Sequence, residues 1–177
     1  MVTRPVDSLA RPAIPPIPTT TTCAEAWARL AGDERLVLMG LLVGATARLT
    51  SLLGGELEAS CGLPLTWYIG MIRISRAPDA RLTMSELAQE LALTSGGITR
   101  LVDRMADEGL VERQSCPSDR RSVHVALTPA GYAKLADATA EHLVGLDRHL
   151  LGPLDAADRT ALARALRKLG GEPRPCG

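Results

Sequence analysis

The stretch LTMSELAQELALTSGGITRLVDRMADEGLVERQSCPSDRRSVHVALTPAG, residues 82–131, decides how the chain folds. It opens on a helix start: Thr83 can cap the first turn, Glu86 stands three residues on to complete a capping box, and Leu82 can staple to Leu87. That predicts a helix over Met84 to Leu91. Only Ala92, Leu93 and Thr94 separate it from a second helix that begins at Thr94 or Ser95, which is helix-turn-helix spacing. In the second helix Ile98, Leu101, Val102 and Met105 recur at i, i+3, i+4 and i+7 and face a core, while Gly96, Thr99, Arg100, Asp103 and Arg104 take the opposite face. Glu108-Gly109 supplies a left-handed glycine stop, Leu110 to Arg113 reads as a short strand, and Cys116-Pro117-Ser118-Asp119 is a turn. Ser122 to Leu127 alternates, with Val123, Val125 and Leu127 inward and Ser122, His124 and Ala126 outward. Helix, helix and hairpin in this order predict a winged helix within a mainly α chain.

Upstream, Leu63-Pro64-Leu65-Thr66 breaks the chain, and a helix then runs to about Ala77, stopped by Pro78-Asp79. Glu25 to about Ser60 is helical in pattern, with a break expected near Gly32-Asp33 and a weak far end at Gly54-Gly55. The run Leu36 to Ala47, between Arg35 and Arg48, is shorter than the roughly 20 residues that span a bilayer. It reads as a buried helix, and no membrane is expected as a partner. Downstream, Thr128-Pro129 pairs a cap with proline at the first helical position and starts a long helix to about Leu151; Asp155 caps a last helix with Leu162, Leu166 and Leu169 on one stripe. The expected organisation is a flexible Pro/Thr-rich arm at 1–22, N-terminal helices at 23–62, and a winged helix-turn-helix lobe at 63–127. In that lobe the recognition helix is expected at about 95–108 and the wing at about 110–127. Further helices follow at 128–170, then a tail at 171–177.

Composition narrows the class without naming the partner. The 177 residues suit one ordinary domain, 46% hydrophobic and only 2% aromatic, so the core is aliphatic and helical packing is favoured. Lys and Arg balance Asp and Glu at 20 each, and between Arg81 and Arg121 six arginines meet seven carboxylates, so bulk charge says nothing of nucleic acid. Cys23, Cys61, Cys116 and Cys176 are scattered, with no C-x-x-C pair, which suits a reduced cytoplasmic protein; neither a redox sensor nor a metal site is expected from them. His124, His142 and His149 form no catalytic motif, so no enzyme, cofactor or metal is expected.

Placement carries the DNA argument. A recognition helix lies in the major groove, where a guanidinium can read guanine O6 and N7, and Arg100 and Arg104 are placed to do so. Thr94, Ser95, Gly97 and Thr99, near the helix N-terminus, suit phosphate contacts. In the hairpin, Arg113 and the tip residues Ser118, Asp119, Arg120 and Arg121 suit an adjacent minor groove or its phosphates, with Asp119 orienting an arginine. The competing reading is a solvated face on which Arg100 and Arg104 pair with Asp103, Asp107 or Glu108.

Taken together, Leu82 to Ala88, Gly97 to Met105, Gly109 to Arg113, Ser118 to Arg121 and Leu127 to Gly131 resemble the MarR family of bacterial transcription regulators, over roughly Arg35 to Leu169. The resemblance implies a homodimer in which the helices at 23–62 and 128–170 intertwine as dimerisation helices, and two DNA-binding lobes, each 63–127, on a pseudo-palindromic operator, usually repressing nearby genes. It also implies a pocket for a small, often phenolic, effector between the dimer helices and the lobe. Trp67, Tyr68 and Met71 are the candidate lining residues. Members commonly carry an acidic residue soon after this aromatic pair, where the present chain has Ile69-Gly70.

Overall fold

The computed structural model describes residues 22–115 and 123–169. The elements run α1 (Cys23–Ala31), α2 (Glu34–Cys61), α3 (Leu65–Ser75), β1 (Arg81–Thr83), α4 (Met84–Glu90), α5 (Ser95–Asp107), β2 (Val111–Ser115), β3 (Val123–Leu127), α6 (Pro129–Leu146) and α7 (Ala156–Lys168). A 3-10 turn occupies Pro78–Ala80 and a π-turn Asp147–Leu151. Residues 1–21, expected as an arm, and 170–177, expected as a tail, lie outside the described residues. So does the hairpin tip, 116–122. The chain divides into two compact units between Ala45 and Thr46, within α2 itself.

In the first unit α1 is closed by a capping box between Thr22 and Glu25. The break expected near Gly32-Asp33 falls between α1 and α2. There the Asp33 carboxylate accepts from the Arg35 backbone N–H at 2.9 Å and from Arg35 Nε at 2.8 Å, which holds its pKa at about 2. The first turns of α2 correct the sequence reading. Leu36, Val37, Leu38, Met39, Leu41, Leu42 and Val43 are exposed, not buried, and α2 is a single 28-residue helix. Gly54-Gly55 does not end it, because two helix-weakening residues are outweighed where Leu53 and Leu57 are anchored by packing. By length and composition alone α2 could cross a membrane, and it is the one such helix among the described residues.

In the second unit the core gathers Leu57, Leu63, Tyr68, Met71, Ile74, Leu87, Val102, Met105 and Val125, drawn from α2, the α2–α3 turn, α3, α4, α5 and β3. The later half of α2 therefore belongs to the unit that holds the winged lobe. β3 is the middle strand of a three-stranded antiparallel sheet ordered β1-β3-β2. Its registers are Leu82 to Val125 against β1 and Arg113 to Val125 against β2. That central place corrects a second expectation: Ala126, assigned to the outward face, is buried. It lies between Arg81 and Glu112 on the two neighbouring strands, and a methyl group between two long side chains is shielded.

The start of α6 is fixed by contact with the end of the helix-turn-helix. Thr128 Oγ1 accepts from the Gly131 N–H at 2.9 Å and donates to the Gly109 carbonyl at 2.6 Å. A Cβ on Gly131 would lie 2.0 Å from the Leu110 carbonyl oxygen, so only glycine allows this approach. α6 then ends in the π-turn, closed by Gly152 N–H donating to the Asp147 carbonyl at 2.7 Å. α7 begins with a capping box between Asp155 and Asp158.

Candidate nucleic-acid interface

The helix-turn-helix is built as its residues require. Thr83 and Glu86 form the capping box of α4, with Thr83 N–H donating to Glu86 Oε2 at 2.9 Å. The turn places Ala92 in the left-handed region, at φ 52°. Thr94 caps α5, its Oγ1 accepting from Gly97 N–H at 3.2 Å, and Thr99 Oγ1 donates to the Ser95 carbonyl at 2.9 Å. Gly109, at φ 70°, follows the helix end as a left-handed stop. Ile98, Leu101, Val102 and Met105 are all buried, which turns Thr99, Arg100 and Arg104 to solvent.

The charges on that face are distributed in a way the sequence could not settle. Asp103 pairs with Arg113 of β2, its Oδ1 accepting from Arg113 Nη2 at 2.7 Å, and so ties the helix to the hairpin. The side chain of neither Arg100 nor Arg104 makes an ion pair or hydrogen bond with another described residue. Among the described residues both guanidiniums are thus without a carboxylate, while Arg113 is held by one. Ser118, Asp119, Arg120 and Arg121 lie outside the described residues.

Of the candidate pocket residues, Trp67 lines a cavity of about 420 Å³ together with Pro64, Leu93, Leu101, Arg100 and Arg104. Tyr68 and Met71 lie in the core and do not border that cavity. The Tyr68 ring instead packs on the His142 imidazole of α6, with ring centroids 4.8 Å apart, and its hydroxyl donates to Thr139 Oγ1 at 3.3 Å. The two histidines seven residues apart take different partners: His149 Nε2 lies 2.9 Å from Glu56 Oε1. No cluster of metal-ligating side chains occurs among the described residues.

With this geometry in view, a family model described as MarR family matches residues 62–122. Over that lobe the chain is similar to the MarR family. It is 37% identical to the multiple antibiotic resistance protein MarR of Escherichia coli over 92 residues, 51% of this chain and 62% of that one. With the HTH-type transcriptional regulator PecS of Dickeya dadantii it shares 28% identity over 57% of this chain and 60% of the relative. The chain thus spans about three-fifths of the length of these curated relatives. Among solved structures, a mutant of Escherichia coli MarR in complex with operator DNA aligns with a TM-score of 0.67 at 28% identity, covering 78% of this chain and 97% of that chain. AbsC, a MarR family regulator from Streptomyces coelicolor, aligns with a TM-score of 0.66 at 26% identity over 84% of this chain and 93% of AbsC. The MarR family is one of DNA-binding transcription regulators, not of enzymes.

Proposed function

We propose that this chain is a sequence-specific DNA-binding transcription regulator, acting in the cytoplasm as a homodimeric, ligand-responsive repressor on a pseudo-palindromic operator. The observation that carries it is the outward face of α5, where Arg100 and Arg104 are exposed one helical turn apart with no carboxylate partner among the described residues. Two free forked donors on a helix whose opposite face is locked into a core suit bidentate reading of guanine in a major groove. Thr94, Ser95, Gly97 and Thr99 then seat the helix N-terminus near a phosphate, and Arg113 with the tip residues 118–121 serves the wing. The relative solved with operator DNA lends support by likeness.

Two-fold symmetry of the operator calls for two lobes, and the exposed apolar side chains of α2 from Leu36 to Val43 offer a surface that a second copy can cover. The effector is a small aromatic molecule whose site includes Trp67, where the cavity wall is shared with Arg100 and Arg104. Arg100→Ala or Arg104→Ala is expected to cost about 1–3 kcal/mol in operator binding and to relax base preference at one position per half-site. Gel-shift titration against the DNA upstream of its own gene, with systematic base changes, measures both. Unaltered affinity and base preference in both variants would remove α5 as the reading helix.

A further inference from the structure

Arg113 is placed by the way the chain leaves α5. Gly109, at φ 70°, reverses the backbone, and Leu110 N–H donates back to the Met105 carbonyl at 2.8 Å. Strand alternation then gives Val111 and Arg113 one face of β2. Val111 is buried in the core with Leu101, Val102 and Met105 of α5, so Arg113, two residues on, emerges along the flank of that helix. There its Nη2 donates to Asp103 Oδ1 at 2.7 Å, the one side-chain hydrogen bond between α5 and the hairpin strands among the described residues.

As a brace this pair is weak. Its two side chains are 38% and 48% exposed, and an ion pair so open to water adds little to stability. Its weight lies in its place, because Asp103 stands on the outward face of α5 with Thr99, Arg100 and Arg104. An unpaired carboxylate on that face would meet the phosphates of DNA as a like charge. It also stands three residues from Arg100, the spacing at which helical side chains of opposite charge meet. Arg113 answers both, since it neutralises the carboxylate and draws it toward β2.

We propose that Arg113 is a positioning residue for DNA reading, acting through Asp103 and not on phosphate: it holds that carboxylate away from Arg100 and from the DNA backbone. The assignment rests on the reading of DNA by α5, and it gives Arg113 a share in that reading without a contact of its own.

The test titrates the full-length protein against a labelled duplex of the DNA upstream of its own gene, with Arg113→Ala, Asp103→Ala and the double variant. Arg113→Ala is expected to lose about tenfold in affinity, Asp103→Ala to stay within about threefold of the parent, and the double variant to recover to that level. All three should unfold within about 3 °C of the parent, as an exposed pair allows. Equal losses in the two single variants would make the pair a brace of the hairpin. A loss in Arg113→Ala that Asp103→Ala does not rescue would put the guanidinium on phosphate. Either result overturns the assignment, as does full affinity in Arg113→Ala. Arg100→Ala, titrated alongside, reports the α5 reading itself: a loss there without rescue at residue 103 overturns the role of Arg113 alone, and unaltered affinity there overturns both.

Discussion

At the scale of single residues, the contact at Gly131 makes the sharpest demand. Its missing Cβ is what lets the first turn of α6 sit against the carbonyl of Leu110, at the end of the helix-turn-helix. Gly131→Ala must push backbone against backbone, so it is expected to destabilise the fold by about 2–4 kcal/mol, at or above the usual range for overpacking. Urea unfolding measures it; a loss below about 0.5 kcal/mol would mean the two segments separate freely. Residue-scale features of this kind were half legible. Caps were read correctly at Thr83, Thr128 and Asp155, because a cap is a local rule between residues three apart, whereas at Thr94 the reading left the helix start between Thr94 and Ser95. The pairing of Asp103 with Arg113 was not, because it depends on where the hairpin lands, ten residues away. That pairing also engages Asp103, one of the carboxylates that flank Arg100 and Arg104 in the chain.

At the scale of elements, the packing of α3 on α6 makes stability depend on pH. His142 packs on Tyr68 in a setting that lowers its pKa from 6.5 through burial, and the pKa of Glu56 is lowered from 4.5, first by the hydrogen bond from His149 and then by Arg148. Both groups bind protons less readily folded than unfolded, so both favour the folded state at high pH and cease to do so as pH falls. The His142 contribution is lost as pH drops from 6.5 through its folded value, and the Glu56 contribution only below 4.5. Tm should therefore fall between pH 7.5 and 5.5, and His142→Gln should flatten that part of the profile. A slope identical to the parent's would exclude His142 as its source. Two elements had no sequence signal. β1 has three residues and no alternation to read, and exists because Leu82 pairs with Val125. The π-turn adds one residue to a helix end without changing its apolar pattern, and it brings Arg148 and His149 together on Glu56.

At the scale of the whole molecule, the decisive feature is the apolar stretch of α2. From Leu36 to Val43 its large side chains stand exposed, with Leu41 at 65% and Leu38 at 58%, while Leu53 and Leu57 further along the same helix are buried. Hydrophobicity predicts that a side chain seeks cover, but not whether the cover is its own chain, another copy or lipid, and this is why the sequence reading placed these residues in a core. A helix whose later half is part of a lobe core, and which carries Arg48 within its apolar length, is better served by a second copy than by a bilayer. Leu41→Glu would put a charge into that interface, at a cost of about 3–5 kcal/mol, or a factor of about 10² or more in dimer dissociation. Sedimentation equilibrium at micromolar protein is expected to show a dimer for the parent and a monomer for the variant. Operator affinity should fall in parallel, because one lobe alone grips one half-site. A variant that stays dimeric with full affinity would move the interface off α2, and recovery of the parent protein in the membrane fraction would assign the same side chains to lipid.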